Sequence, residues 1–284
     1  MVPLTNRIGA AFIVMLFTAC PGGTHTVGKA RADSLFSQTA AESLEREFPS
    51  RDISFLAVDV RSGHVLASRW EDSDRPIPLG SLVKPFAALA YGEHHDFRFP
   101  AHTCRGTASG CWRAGGHGTL DLTAAIAYSC NSYFRALTTG LDASWVSTTA
   151  LRFGLEPPHG GTSGPALAGM GAEWRIAPLH MAEAYIELAH ERQQPSVGQI
   201  LDGMAESARY GTAAEVNRGL QSTRALAKTG TALCTHEHHA PGDGFTIALF
   251  PAETPRVLLM VRVHGVPGAV AAKTAGQMLH RIEQ

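Results

Sequence analysis

Gly80-Ser81-Leu82-Val83-Lys84-Pro85-Phe86 decides how the rest of this 284-residue chain is read. A serine stands three residues ahead of a lysine, in what the pattern predicts as the first turn of a helix. The loop Asp74-Arg75-Pro76-Ile77-Pro78-Leu79 leads in with two prolines, and Ala87-Ala88-Leu89-Ala90-Tyr91 follows with good helix formers. Residues three apart share a helix face, so Ser81 and Lys84 come within reach of each other. A lysine amine is a base only when neutral, and burial or a second nearby cation favours that form. A neutral Lys84 can then take the proton of Ser81, whose place at a helix N-terminus favours a developing negative charge. In isolation, S-x-x-K more often means a serine N-cap and a solvated lysine.

Two further stretches reverse that balance. Ser129-Cys130-Asn131 lies between the apolar run Leu122 to Tyr128 and the segment Ser132-Tyr133-Phe134-Arg135-Ala136-Leu137. Lys228-Thr229-Gly230-Thr231-Ala232 closes a short apolar run near the end of the chain. S-x-x-K, S-x-N and K-T-G, in this order, form the signature of penicillin-binding proteins and serine β-lactamases. The chain resembles that family of penicillin-recognising serine transpeptidases over about residues 50 to 284. Cys130 occupies the middle position where the common motif has Asp, a position that varies among transpeptidases.

The resemblance implies a role for each matching residue. Ser81 is the expected nucleophile and Lys84 its base. Ser129 sits between Lys84 and Lys228 and relays a proton to the leaving amine. Lys228, as a cation, holds the substrate carboxylate and helps keep Lys84 neutral, with the hydroxyls of Thr229 and Thr231 beside it and Gly230 between them. The backbone N–H groups of Ser81 and Thr231 form the oxyanion hole, each donor being worth about 2.7–4 kcal/mol. Asn131 binds the amide of the acyl donor. This chemistry calls for no cofactor and no metal.

Composition sets the outer limits. At 44% hydrophobic and 17% charged residues the chain can bury an ample core as one or two compact units. A formal net charge of −1 does not advertise nucleic acid as a partner. Neither internal repeats nor low-complexity tracts are visible.

Residues 1–19 read as a signal peptide. Arg7 precedes the apolar run Ile8 to Ala19, short for a membrane span and suited to a signal core. Ala19-Cys20-Pro21-Gly22-Gly23 resembles a bacterial lipoprotein signal, which implies a lipid on Cys20, a tether over residues 20–33, and a periplasmic or cell-surface domain held to a membrane. Phe17, third before Cys20, departs from the usual pattern and leaves ordinary cleavage or a retained anchor as alternatives. Export also governs the other cysteines. Cys104 and Cys111 bracket a Gly/Ser loop that a disulfide can close in an oxidising compartment, unpaired thiols being the alternative. Cys130 and Cys234 flank the proposed site as buried small side chains, with a bridge between them left open.

The catalytic domain is expected over residues 34–284. A first helix is predicted over 34 to 47, strands over Ile53–Val60 and His64–Ser68 around the turn Arg61-Ser62-Gly63, and helices joined by Gly/Pro loops from 94 to about 205. Pro178-Leu179 opens a proline-started helix. Apolar runs Gly244–Phe250 and Val257–Val263 read as strands, and Ala269 to Arg281 as a last helix. The fold class is therefore α+β: an antiparallel sheet of about five strands packed with terminal helices, and an inserted helical subdomain across a cleft. Thr235-His236-Glu237-His238-His239 reads as a solvated loop, lacking the helical H-E-x-x-H spacing of a zinc enzyme.

Three functions fit. One is a D,D-transpeptidase or D,D-carboxypeptidase acting on peptidoglycan stem peptides, with β-lactams as covalent inhibitors. The second is a serine β-lactamase; class A enzymes of that kind carry an E-x-x-x-N motif, absent between Asn131 and Lys228, so a class D mechanism with a carbamylated Lys84 is the form that stays open. The third is a β-lactam- or peptidoglycan-binding sensor or scaffold without turnover.

Overall fold

The computed structural model describes residues 42–234 and 242–284. The signal segment 1–19, Cys20, the tether 20–33, the start of the first helix and the cluster His236-Glu237-His238-His239 lie outside the described residues.

Helix α1 (residues 42–47) precedes β1 (Ile53–Asp59) and β2 (Val65–Arg69). Asp59 closes the turn between these strands by accepting from the backbone N–H and hydroxyl of Ser62, at 2.7 and 2.6 Å. β3 (Ile77–Pro78) leads to α2 (Lys84–His94), followed by β4 (His102–Cys104), β5 (Gly118–Leu120), α3 (Leu122–Ala127), α4 (Asn131–Thr138), α5 (Ala143–Arg152) and α6 (Gly164–Leu167). Then come β6 (Arg175–Ile176), α7 (Pro178–His190), α8 (Pro195–Arg209) and α9 (Ala214–Arg218). The chain closes with β7 (Leu226–Ala232), β8 (Asp243–Phe250), β9 (Val257–Val263) and α10 (Gly268–Glu283).

The main sheet runs β2-β1-β9-β8-β7, antiparallel throughout. Successive strand residues point to opposite faces, and here both faces are covered. Leu56, Val58, Phe245, Ile247, Leu249, Leu258 and Met260 face the core shared with the helical insertion. Phe55, Ala57, Ala248, Phe250, Leu259 and Val261 pack with Leu44 of α1, Val216 of α9 and Ala272, Ala275, Met278 and Leu279 of α10. Met278 and Leu279 are fully buried, each worth about 1.5–3 kcal/mol against exposure. Burial on both sides is why β8 and β9 read as continuous apolar runs in the sequence.

The α+β layout and the five strands match the sequence expectation. The structure adds two small ribbons: β4 with β5, inside the 94–205 stretch read as helices and loops, and β6 of that stretch with β3, which lies in the loop before Ser81. Their strands are two or three residues long, too short to leave an alternating pattern. Among the described residues, no helix is long and apolar enough to cross a membrane.

Candidate active site

The α-helix carrying the first motif begins at Lys84, and Gly80–Val83 wind ahead of it as a 3-10 turn. Pro85, in the first turn of the helix, has no N–H to donate and is tolerated there. Residues i and i+3 eclipse in a 3-10 turn, so Ser81 and Lys84 still share one side. The phenol of Tyr185, fully buried on α7, donates to the carbonyl of Leu82 at 2.9 Å and braces the turn. Burial raises that phenol well above its ordinary pKa, so it remains a donor. On the other side, β7 lies backbone to backbone with the turn. Gly80 has φ +57°, and a Cβ there would stand 2.2 Å from the carbonyl oxygen of Thr231; one on Gly230 would stand 2.4 Å from that of Leu79. Only glycines allow this approach, which places Ser81 and Thr231 along one edge of a cleft.

Ser129 joins α3 to α4 and has φ +48°, a left-handed conformation that costs a non-glycine residue about 1–3 kcal/mol and concentrates at functional sites. The corner is held by Cys130, the N-cap of α4, whose sulfur accepts from the N–H of Tyr133 at 3.5 Å. Here the three motifs meet. The amine of Lys84 donates to Asn131 Oδ1 at 2.7 Å, to the carbonyl of Ser129 at 2.8 Å, and lies 3.3 Å from Ser129 Oγ. The amine of Lys228 lies 2.9 Å from the same Oγ and donates to the carbonyl of Thr229 at 2.7 Å. The Ser129 hydroxyl therefore bridges two amines that are both 0% exposed.

Burial, partly opposed by Cys130 and Cys111, brings Lys84 down from 10.5 to about 7. Burial, with the neighbouring charge of Lys84, pushes Lys228 well below its ordinary value. The sequence reading made Lys228 the standing cation. In the free site the two amines compete for charge, because water reaches neither of them.

A cleft of about 720 Å³ opens over these groups, lined by Ser81, Ser129, Asn131, Thr229, Gly230 and Thr231. All residues assigned from the three motifs thus come together. Thr229 Oγ1 is paired with Thr212 Oγ1 at 2.6 Å, and Thr231 Oγ1 accepts from the N–H of Gly268 at 2.9 Å, at the start of α10. Thr212, Gly268 and Arg135, to which none of the three motifs assigns a role, also line the cleft. Thr212 stands in Tyr210-Gly211-Thr212-Ala213 shortly before β7, the one local signal available. Trp112 also lines the cleft and is 55% exposed, which places it at the rim.

The disulfide expected between Cys104 and Cys111 is not formed, nor is one between Cys130 and Cys234. Cys104 ends β4 and Cys111 follows a 3-10 turn over Gly106–Ser109. Both sulfurs face Nδ1 of His117, at 3.5 and 3.6 Å, and Cys111 Sγ lies 3.8 Å from Cys130 Sγ. The loop folds inward onto the Ser129 corner, so each thiol meets several polar neighbours in place of a single partner. Burial, with the charges of Arg113 and Lys84, holds the His117 imidazole below its ordinary pKa and hence neutral.

Comparison with known proteins places the chain in a family and a fold. The family model for the penicillin binding protein transpeptidase domain matches residues 53–282. No curated protein matches the chain. Among solved structures, penicillin-binding protein 2 of Pseudomonas aeruginosa superimposes with a TM-score of 0.72 at 19% identity, covering 87% of this chain and 76% of that one. The transpeptidase domain of penicillin-binding protein 3 from Burkholderia pseudomallei gives 0.65 at 16% identity, covering 89% and 94%. Penicillin-binding protein 2 of Helicobacter pylori gives 0.71 at 17% identity, covering 87% and 62%. At these identities the structural likeness concerns the fold.

Proposed function

The chain belongs to the penicillin-binding protein transpeptidase family, and we propose that it is a serine D,D-transpeptidase or D,D-carboxypeptidase acting on peptidoglycan stem peptides. The observation that carries the reading is the Ser129 hydroxyl held between two buried amines in the cleft that contains Ser81.

The geometry supports the following course. A stem peptide lies along β7 with its terminal carboxylate toward Lys228, Thr229 and Thr231. An anion there raises the proton affinity of Lys228, which draws positive charge onto it and leaves Lys84 as the neutral base. Lys84 takes the proton of Ser81 as Oγ bonds to the penultimate carbonyl carbon. The oxygen of that carbonyl gains negative charge against the N–H groups of Ser81 and Thr231. Asn131, with its Oδ1 occupied by Lys84, has its NH₂ left to orient the donor amide. As the C–N bond breaks, the leaving D-alanine amine takes a proton relayed through Ser129. The acyl-enzyme then passes to an acceptor amine or to water. A β-lactam presents a reactive amide and a carboxylate in a similar relation and acylates the same serine.

Export, with a lipid on Cys20 at the periplasmic or cell-surface side of a membrane, belongs to the same proposal. Mass analysis of the N-terminal peptide from a membrane fraction tests it.

The catalytic reading is tested by incubating the protein with a fluorescent penicillin. One covalent label per chain is expected, on the peptide containing Ser81, and Ser81→Ala removes it. Without the E-x-x-x-N motif, hydrolysis of the label is slow and it persists for minutes or longer. Rapid turnover of a reporter cephalosporin, accelerated by bicarbonate, would identify the class D β-lactamase in its place. Absence of any label would favour a non-catalytic module.

A further inference from the structure

We propose that Cys104, Cys111, His117 and Cys130 form a tetrahedral Zn²⁺ site, with the middle residue of the Ser129-Cys130-Asn131 motif as one ligand. The ligands follow C-x6-C-x5-H-x12-C spacing, and their ligand atoms all lie within 4.8 Å of one another. Zinc binds thiolate sulfur at about 2.3 Å and imidazole nitrogen at about 2.0–2.1 Å in tetrahedral geometry, which sets ligand-to-ligand edges of about 3.8 Å for S···S and about 3.6 Å for S···N. The observed separations are 3.8 Å from Cys111 to Cys130 and 3.5 and 3.6 Å from the two loop sulfurs to His117 Nδ1. A disulfide needs sulfurs at about 2.05 Å, and three thiols around one imidazole cannot all be paired.

The surroundings are built for such a centre. The three cysteines are almost fully buried. The His117 ring lies between Trp112 and Tyr128, with centroids 5.3 and 4.9 Å away, so its orientation is set by packing. Its Nδ1 faces the sulfurs. The N–H of Tyr133 points at Cys130 Sγ. The loop is wound tightly enough to bring its ends together: Gly116 has φ +75°, and a Cβ there would stand 2.3 Å from the carbonyl oxygen of Cys104. A donor set of three thiolates and one imidazole selects a soft, tetrahedral d¹⁰ ion. Four protein ligands close the shell, so the ion is structural and leaves no position for substrate. Binding is balanced by release of three thiol protons as three S–Zn bonds and one N–Zn bond form.

The consequence for the neighbouring cleft rests on the function proposed above. The metal would tie the 104–118 loop to Cys130 and so hold the left-handed backbone of Ser129 and the orientation of Asn131.

The test uses the full-length chain prepared with and without added zinc. Elemental analysis is expected to find one zinc per chain, and Co²⁺ exchange to give the visible bands of tetrahedral cobalt with ultraviolet sulfur-to-cobalt charge transfer. Cys104→Ser loses stoichiometric zinc and that charge-transfer intensity; Cys234→Ser and Ser81→Ala keep both. Stripping the metal lowers the melting temperature of Ser81→Ala as it does that of the wild type, a readout independent of catalysis, and slows penicillin labelling of the wild type. A Cys104–Cys111 disulfide without metal in exported protein, octahedral cobalt spectra, or a chain with four accessible thiols that takes up no zinc would each overturn the site. Stoichiometric zinc with no label on Ser81 would leave the site standing and overturn the proposed function.

Discussion

The rate of penicillin labelling should titrate with Lys84. An ordinary lysine at 10.5 is neutral in about one molecule in three thousand at pH 7, whereas a group near 7 is neutral in roughly half, so burial raises the population of usable base about 1,500-fold. The same displacement is about 5 kcal/mol of differential interaction between the charged and neutral amine. The second-order labelling rate is therefore expected to climb about tenfold per pH unit up to about 7 and to level off above it. Stopped-flow or gel-based labelling at pH 5–9, with a probe whose own ionisation lies outside that range, reads this directly. Stability moves in the same direction. The folded state gives up the Lys84 proton near 7 while the unfolded chain keeps it to about 10.5, so the unfolded state binds more protons in that window and stability rises with pH across it. A labelling rate that is flat from pH 5 to 9, or one that keeps climbing toward 10, would refute the buried-base argument.

Lys84→Arg keeps a cation and removes the base, because arginine does not deprotonate; labelling should fall by orders of magnitude with the far-ultraviolet circular dichroism unchanged, and a near-normal rate would move the base to another group. Tyr185→Phe removes the bond to the Leu82 carbonyl; the expected cost of about 1 kcal/mol appears as a melting temperature about 2–4 °C lower, with slower labelling from a looser Ser81 turn, and an unchanged rate would show that the brace is dispensable. Asp243→Ala strips the buried partner of Arg262, at 3.0 Å with side chains 6% and 3% exposed; denaturant unfolding should show a loss of about 3–5 kcal/mol, and a loss below about 1 kcal/mol would mean that other contacts of Arg262 carry the charge.

Much of this molecule was legible before any coordinates. The S-x-x-K, S-x-N and K-T-G stretches name the reacting groups because each needs a particular side chain, and side-chain identity is what a sequence states. β8 and β9 stand out as apolar runs of strand length because both faces of each are buried, and α10 shows a helical alternation because only one face packs on the sheet. The 3-10 turn at Ser81 was less visible, since Pro85 permits either winding of the residues before it.

What only the tertiary structure decided are distances between residues far apart in the chain. Ser129 lies 99 residues from Lys228, and no local pattern says that one hydroxyl bridges both lysines or that both amines are dry. Water exclusion comes from the whole fold, and it is this that makes Lys228 compete with Lys84 for charge. The cysteines show the same division. Cys104 and Cys111, close in sequence around a Gly/Ser loop, suggested a local bridge. The fold turns their loop toward Cys130 and His117, and ligand atoms from four chain positions converge within 4.8 Å. Spacing along a chain bounds how far apart two groups can be; only the packed fold decides which of them meet.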